Sequence, residues 1–398
     1  MKKHYTNSFI LNALNLPNIR DLETFSNSIG VSQRLIQLLA NSAHVYYNNF
    51  SIPKKNGTQR EINTPTYSLK LVQRWILKEI LEKIDVSEES MAFKKGLGNS
   101  IKKNAEIHKY SVYLLQLDIK DFFISIKKEK VFYLFRDLGY NIVVSNLLAN
   151  ICTYNGFLPQ GGVCSPYISN LICYKLDKRL KGLCAKRDIL YTRYADDLTF
   201  SCDNKETLKK VRNIIEDIIK NEGFEINPLK TRFLSPSSHK KVTGITVNDN
   251  RIKASKKLKK KVRSMIHHSF VSADYSSNDQ IRGYVSFIDS IEEGYKDKIC
   301  EYIDRLANDK DYKYFEDIVV AFNNNKIFKE LADMPFEDLS FNDPDDPDDL
   351  VTYFISNSVE ERYSFLKDRR IKIDAFPDEY EDEVAAANQN EIEVEDIF

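Results

Sequence analysis

Apolar positions near the N-terminus recur with helical spacing, most clearly over residues 31–39, after the possible helix caps Ser26 and Ser28. Two short apolar pieces follow and flank an Asn-Gly pair at residues 56–57, which is typical of a β-hairpin turn. Residues 69–84 return to helical spacing. The first part of the chain is therefore predicted to contain a helical segment, a hairpin and a further helix.

The centre of the chain carries three short runs rich in β-formers, residues 112–117, 189–194 and 198–201. The last two are separated only by a tight turn, which predicts an antiparallel pair. An amphipathic helix is predicted over residues 208–222, and it ends at Gly223. Helices and short strands in this order predict an α+β fold with an antiparallel sheet.

Three carboxylates lie where these predicted strands end. Asp118 directly follows the first strand, and Asp196 with Asp197 occupies the turn between the other two. Like charges brought together at strand ends are costly unless a cation lies between them. Carboxylates together with phosphate oxygens are the ligands that Mg²⁺ prefers, and two such ions can catalyse phosphoryl transfer. The alternative is a turn that merely favours aspartate.

Composition narrows the function classes. The 398 residues are 42% hydrophobic, enough for two or three globular units, and no apolar run is long enough to span a membrane. The N-terminus lacks the apolar stretch of a signal peptide, so we expect a cytoplasmic protein without a membrane partner. The six cysteines form no metal-binding or disulfide pattern, and reduced thiols are expected.

Charge is segregated along the chain although the net charge is zero. Residues 301–398 contain 28 acidic and 10 basic residues, which leaves 30 acidic and 48 basic residues in 1–300. A basic helix is predicted over residues 253–268, and the tail is predicted to be partly disordered. The basic part favours a polyanionic partner, although solvated surfaces also collect lysines.

Three segments resemble the palm motifs of reverse transcriptases and occur in that family's order: residues 116–123 (QLDIKDFF), 158–166 (LPQGGVCSP) and 191–197 (YTRYADD). The resemblance implies an RNA-directed DNA polymerase with a right-hand fold. The implied parts are an N-terminal helical segment (1–49), fingers (50–115), palm (116–250, with interleaved fingers elements at about 127–157), helical thumb (251–315) and an acidic C-terminal extension (316–398).

The same resemblance assigns roles to individual residues. Asp118, Asp196 and Asp197, with the carbonyl of Ile119, would hold two Mg²⁺ ions, with Mn²⁺ as an alternative. Lys230 would protonate the leaving pyrophosphate, unless it is a surface lysine. The implied nucleotide-binding residues are Lys54, Lys55, Arg60, Asp121, Phe122, Phe123, Gln160 and Gly161.

The aromatic and basic members of that set have specific implied functions. The ring of Phe123 would clash with a ribose 2′-hydroxyl and favour deoxynucleotides, although a core aromatic is the alternative for both Phe123 and Phe122. Arg60 and a neighbouring lysine would grip the triphosphate, unless the hairpin is simply solvated. On the thumb, the basic side chains that would contact duplex phosphates are Lys256, Lys257, Lys259, Lys260, Lys261 and Arg263.

Two further segments resemble signatures of retron reverse transcriptases, residues 104–108 and 242–244. Such enzymes copy part of a structured non-coding RNA into a branched RNA–DNA product, which implies antiphage defence with an effector partner. Asn104 and His108 would share a helix face and contact nucleic acid; a hydrogen-bonded helix pair or a core histidine fits equally. The alternatives are another bacterial reverse transcriptase, including one that extends DNA without a template, and an RNA-binding scaffold for an effector.

Overall fold

The computed structural model describes residues 6–53, 59–94, 100–272 and 274–307. The chain divides into two compact units, residues 1–252 and the part that begins at Lys253. The expected acidic extension, 316–398, lies outside the described residues. Within the described ranges, no helix has both the length and the apolar composition that a membrane span requires.

Three short helices form the N-terminal segment: α1 (Ser8–Ala13), α2 (Leu22–Ile29) and α3 (Gln33–Asn41). The caps suggested by the sequence are wrong, because Ser26 and Ser28 lie inside α2. Asp21 caps α2 by accepting a hydrogen bond from the backbone N–H of Thr24 at 2.8 Å, and Ser32 caps α3. The helical character predicted for this segment is confirmed.

The predicted hairpin is confirmed as β1 (Tyr47–Pro53) and β2 (Gln59–Pro65), paired antiparallel. A 3₁₀ turn (Ala43–Tyr46) precedes it. The following helix, α4 (Tyr67–Glu79), ends earlier than predicted and continues as a separate 3₁₀ turn (Leu81–Lys83). Helix α5 (Ile101–His108) then leads into the central sheet.

The central sheet has four antiparallel strands in the order β4-β5-β3-β6. Its strands are β3 (Tyr113–Asp118), β4 (Leu190–Tyr194), β5 (Asp197–Cys202) and β6 (Arg232–Leu234). The first three are the strands that the apolar runs predicted. Because alternate side chains of a strand point to opposite faces, each strand serves two different environments.

The helices in this part of the chain supply much of the core. They are α6 (Phe122–Ser125), α7 (Lys128–Asp137), α8 (Ile142–Cys152), α9 (Ser165–Ile172), α10 (Tyr174–Ala185) and α11 (Lys205–Asn221). Helix α11 buries Leu208, Val211, Ile215 and Ile219, one apolar stripe of the predicted amphipathic helix. Helices α10 and α11 pack against the sheet, and α5 packs against β4 from the other face.

A small three-stranded sheet completes the first unit, with β7 (Lys241–Val242), β8 (Ile245–Asn248) and β9 (Arg251–Lys253) in that order. The second unit contains the helices α12 (Lys256–Ser272), α13 (Asn278–Ile291) and α14 (Tyr295–Ala307). Its buried side chains include Leu258, Val262, Ile281, Tyr284, Ile299 and Ile303. The six cysteines of the chain are free thiols.

Candidate active site

Strand register brings the three predicted catalytic carboxylates to one edge of the central sheet. Asp118, the last residue of β3, is paired directly with Asp197, the first residue of β5. The backbone N–H of Ile119 donates to the carbonyl of Asp196 at 3.0 Å. Directly paired residues point to the same face, so Asp118 and Asp197 project together. Ala195 makes this tight turn possible with a left-handed φ of 54°.

Lys230 reaches this edge as well. Its Nζ lies 3.0 Å from Oδ2 of Asp118, a carboxylate whose side chain is only 7% exposed. The backbone N–H of Asn227 donates to the carbonyl of Asp118 at 2.8 Å, and that of Lys230 donates to the carbonyl of Asn227. The turn that carries Lys230 is therefore tied to the end of β3, and an ammonium group lies beside the candidate metal ligand.

The donors at this edge suit a divalent cation chemically. Three carboxylates and the carbonyl of Ile119 are the hard oxygen ligands that Mg²⁺ and Mn²⁺ prefer. In the part of the chain that the structure describes, no three His, Cys, Asp or Glu side chains are already gathered around a cation position. Binding a cation would therefore require Asp118, Asp196 and Asp197 to turn toward a common point, in competition with Lys230 for Asp118.

An aromatic cluster forms just after Asp118 in the chain. The ring of Phe123 packs on Phe122 at 5.4 Å and on Phe93 at 6.4 Å between centroids. Phe122 is buried, which agrees with its alternative interpretation as a core aromatic, whereas Phe123 remains half-buried. Asp121 is exposed and holds a left-handed φ of 47° at the start of α6. Phe93 was not predicted from the sequence, and its φ of 58° is unusual for an aromatic residue.

The loop with Gln160 and Gly161 lies against the hairpin. The backbone N–H of Asn63 in β2 donates to the carbonyl of Gln160 at 2.8 Å. Gly161 has a φ of 114°, and a Cβ there would lie 2.9 Å from the carbonyl oxygen of Asn63, so a side chain cannot be accommodated without movement. Arg60 in β2 is half-buried and pairs with Ile52. Lys54 and Lys55 lie outside the described residues.

Asn104 and His108 share one face of α5, as predicted, but that face points inward. His108 is fully buried, and its Nδ1 and Nε2 lie 2.7 Å from the hydroxyls of Ser201 and Thr192. Thr192 also donates to Oδ1 of Asn104 at 2.6 Å. Burial lowers the pKa of His108 to about 3, so the ring is neutral at physiological pH. The structure thus places both side chains in the interior rather than on a surface that touches nucleic acid, which agrees with the core-histidine alternative.

The second signature segment, residues 242–244, joins the same network. The amide of Asn104 donates to Oγ1 of Thr243, and Thr243 donates to the carbonyl of Ile101, both at 3.4 Å. On the same side of the sheet, Nζ of the buried Lys240 donates to the carbonyl of Ser111 at 2.9 Å. Residues 104–108 and 242–244 are therefore in contact, and they fasten α5 and the small sheet to the central strands.

Comparison with known proteins identifies the family. A model described as reverse transcriptase (RNA-dependent DNA polymerase) matches residues 52–247. The chain is 37% identical over 304 residues to the retron Ec86 reverse transcriptase of Escherichia coli, covering 76% of this chain and 94% of that protein. The chain belongs to the retron reverse transcriptases. The enzyme is an RNA-directed DNA polymerase, and members of this class work with divalent metal ions.

Other similarities extend the comparison. The retron Mx65 reverse transcriptase of Myxococcus xanthus is 34% identical over 265 residues, 61% of each protein. Among solved structures, telomerase from Candida albicans in complex with a TWJ fragment of telomeric RNA has a TM-score of 0.42 and 14% identity, over 74% of this chain and 65% of that one.

In the second unit of the reverse transcriptase, the basic residues of α12 fall into two groups. Lys259 pairs with Glu292, Lys261 donates to the hydroxyl of Tyr284 at 2.6 Å, and the Arg263 guanidinium lies over the ring of Tyr302. These three therefore contact neighbouring helices of their own unit. The remaining predicted phosphate contacts, Lys256, Lys257 and Lys260, are exposed.

Sequence reasoning missed a buried ion pair beneath the turn that carries Asp196 and Asp197. Arg193 and Asp177 are both fully buried, and Nη2 of Arg193 lies 2.7 Å from Oδ2 of Asp177. Burial alone would lower the pKa of Arg193, but the charge and hydrogen bonds of Asp177, together with the neighbouring Cys173 and Tyr191, raise it above the ordinary value. An arginine inside an otherwise apolar strand was the available signal, because such a charge requires a partner.

Proposed function

We propose that this reverse transcriptase copies part of a structured non-coding RNA into DNA and yields a branched RNA–DNA product in antiphage defence. Membership in the retron family supports this substrate, and retron relatives match over most of the chain. The observation that carries the chemistry is the direct pairing of Asp118 with Asp197 beside the Ile119–Asp196 hydrogen bond. The enzyme would bind template and dNTPs, and form its product, in the cytoplasm.

The proposed mechanism is two-metal phosphoryl transfer at this edge. Asp118, Asp196, Asp197 and the Ile119 carbonyl would hold two Mg²⁺ ions, which supply charge neutralisation for the attacking and leaving oxygens. Lys230, whose Nζ lies 3.0 Å from Oδ2 of Asp118, would give a proton to the departing pyrophosphate. Release of Asp118 to a cation would free the ammonium group for that role.

Nucleotide binding is assigned to the surroundings of Phe123. The half-buried ring, supported by Phe93 and Phe122, would exclude a ribose 2′-hydroxyl and select deoxynucleotides. The backbone of Gln160 and Gly161 would approach the nucleotide closely, since Gly161 has no side chain. Arg60, together with Lys54 or Lys55, would bind the triphosphate. Asp121, at the start of α6 and two residues before Phe123, would lie near the bound nucleotide.

The exposed lysines of α12 are assigned to the duplex. Lys256, Lys257 and Lys260 would contact phosphates and give position without sequence recognition. Lys261 and Arg263 are also exposed, but their cationic groups already contact Tyr284 and Tyr302. We therefore expect the first three to contribute more to the salt dependence of RNA and DNA binding.

The central experiment uses protein purified with its bound RNA, supplied with dNTPs and Mg²⁺. We expect labelled DNA joined to RNA, and we expect Asp197→Asn to reduce synthesis by a factor on the order of 10³, since a metal-binding charge is lost. Asp188→Asn is the matched control, because Asp188 is exposed beyond the other end of β4. Equal synthesis by Asp197→Asn and Asp188→Asn would refute the proposed site.

Sequencing the product separates the remaining possibilities. A copy of one neighbouring non-coding RNA supports the proposed retron activity, whereas a random or homopolymeric product would indicate synthesis without a template. Phage protection measured in the same variants tests the third possibility. Full protection by Asp197→Asn would show that the protein acts as an RNA-binding scaffold for an effector, with DNA synthesis incidental.

Sugar selection has its own test. Phe123→Ala should lower discrimination between dNTP and NTP by at least about tenfold, since the bulk facing the 2′ position is removed. Tyr133→Ala provides the control, because Tyr133 is an exposed aromatic on α7. The measured quantity is the ratio of kcat/KM for the two sugars, and an unchanged ratio in Phe123→Ala would remove the assignment.

A further inference from the structure

Beneath the turn that carries Asp196 and Asp197, side chains from two helices converge on the guanidinium of Arg193. Nε and Nη2 donate to the two carboxylate oxygens of Asp177 at 2.8 and 2.7 Å. Nη1 donates to Oδ1 of Asn170 at 3.0 Å. Asp177 lies on α10 and Asn170 on α9, so this fork fixes β4 against two helices.

The same guanidinium reaches the turn itself. Nη1 of Arg193 also donates to the carbonyl of Ala195 at 3.3 Å. Ala195 immediately precedes Asp196, and its left-handed φ of 54° is a conformation that L-residues hold only when their surroundings favour it. A fixed, fully buried cation therefore holds the residue that sets the direction of Asp196 and Asp197.

The partners of Arg193 are themselves held. Asp177 accepts from the hydroxyl of Ser87 at 2.5 Å and from that of Tyr191 at 2.8 Å. Asn170 accepts from Ser90 at 2.9 Å and donates to the carbonyl of Ala92 at 2.8 Å. The guanidinium is consequently at the centre of a fully buried polar network rather than at a single ion pair.

We propose that Arg193 is a positioning residue for DNA synthesis, which fixes the turn at Ala195 so that Asp196 and Asp197 can hold divalent cations. The inference rests on the proposed metal-binding role of those two aspartates. Arg193 contacts neither substrate nor metal, and it acts through the backbone of the turn. Outer residues that orient metal ligands typically change metal affinity by about 10–100-fold when they are replaced.

The test compares Arg193→Lys with wild type, since lysine keeps the charge but cannot bond Asp177, Asn170 and Ala195 together. Mn²⁺ binding to the protein is measured by electron paramagnetic resonance without nucleotides, alongside the Mg²⁺ concentration for half-maximal synthesis. We expect Arg193→Lys to bind Mn²⁺ about tenfold more weakly or worse, and the Mg²⁺ midpoint to rise in parallel. The KM for dNTP should change little at saturating metal.

Two further variants separate positioning from folding. Tyr191→Phe removes one hydrogen bond to Asp177 and leaves the fork intact, so its Mn²⁺ affinity should equal that of wild type. Arg193→Gln combined with Asp177→Asn removes both buried charges together, which avoids an uncompensated ion if Arg193→Lys does not fold. Gln is too short to repeat the fork, and this double variant should also bind Mn²⁺ weakly.

The outcomes distinguish this inference from the proposed function. Weak Mn²⁺ binding by Asp197→Asn together with normal binding by folded Arg193 variants would overturn the positioning role and leave the metal site standing. Normal Mn²⁺ binding by Asp197→Asn would instead overturn the metal site itself. Weak binding by both, with normal binding by Tyr191→Phe, supports the positioning role.

Discussion

The two faces of strand β4 stabilise the molecule by different means. On one face, Tyr191 and Arg193 meet Asp177 in a buried network that contains formal charges. On the other, Thr192 meets His108 and Asn104 in a network of neutral groups. Neighbouring residues of one strand thus enter opposite electrostatic environments, because side chains alternate between faces.

The difference predicts how each face responds to substitution. A buried ion that loses its partner keeps a charge in a medium that cannot solvate it, so damage on the Arg193 face should be large and abrupt. A neutral network loses one hydrogen bond at a time, so damage on the His108 face should be graded. The charged face supports the turn at Ala195, whereas the neutral face joins residues 104–108 to residues 242–244.

The largest expected effect is on the charged face. Asp177→Asn leaves the Arg193 guanidinium buried without a carboxylate and should lower the free energy of unfolding by about 3–5 kcal/mol. Tyr191→Phe, which removes one hydroxyl from the same network, should cost about 1 kcal/mol. Urea unfolding of both variants checks the comparison, and similar losses in the two would contradict it.

An intermediate effect is expected on the neutral face, and it depends on pH. The pKa of His108 is about 3 when folded and about 6.5 in the unfolded chain, so the unfolded state binds the extra proton between these values. Stability contributed by neutral His108 is complete above pH 6.5 and decreases as the pH falls toward 3. At pH 5 the free energy of unfolding is therefore about 2 kcal/mol lower, through His108 alone, than at pH 7.5.

His108→Gln tests this pH dependence because glutamine does not titrate. The free energy of unfolding is measured in urea at pH 7.5 and at pH 5. Its decrease between these pH values should be about 2 kcal/mol smaller in the variant than in wild type. The carboxylates contribute equally to the pH dependence of both proteins and cancel in the comparison. Parallel pH profiles for the two proteins would show that His108 is not held neutral.

The smallest effect is expected at the edge of the neutral network. Thr243→Val removes two hydrogen bonds of 3.4 Å, to Asn104 and to Ile101, and should lower the free energy of unfolding by about 0.5–1.5 kcal/mol. Thr246→Val, on the neighbouring strand β8, gives the comparison for a half-buried threonine that loses one hydrogen bond, of 3.0 Å, to His239. A loss as large as that of Asp177→Asn would mean that the two faces do not differ in kind.

Local pattern was sufficient to predict the elements that position the carboxylates. Asp118 and Asp197 lie at strand ends because apolar β-formers end there, and that signal is contained within about ten residues of sequence. The register that pairs the two aspartates is also implied once both strands face one core. The helix caps were predicted wrongly: Asp21 caps α2 and Ser32 caps α3, whereas Ser26 and Ser28 lie inside α2.

Tertiary partners could not be predicted in this way. The shared face of Asn104 and His108 follows from helical periodicity, but whether it points to nucleic acid or to Thr192 depends on packing. Likewise, the basic composition of α12 does not show that the exposed Lys261 donates a hydrogen bond to the hydroxyl of Tyr284. An arginine within a strand signals that a partner is required, but no local pattern shows that this partner is Asp177 on α10.

The contact between Phe93 and Phe123 has a practical consequence for redesign of the enzyme. If Phe123 selects the sugar, its ring is held by a second aromatic residue from a distant part of the chain. Libraries that vary Phe93 while keeping Phe123 would then shift sugar preference by small increments. The ring of Phe123 would change its orientation, but its bulk would remain. Nucleotides with small 2′ substituents are suitable substrates for screening these Phe93 libraries.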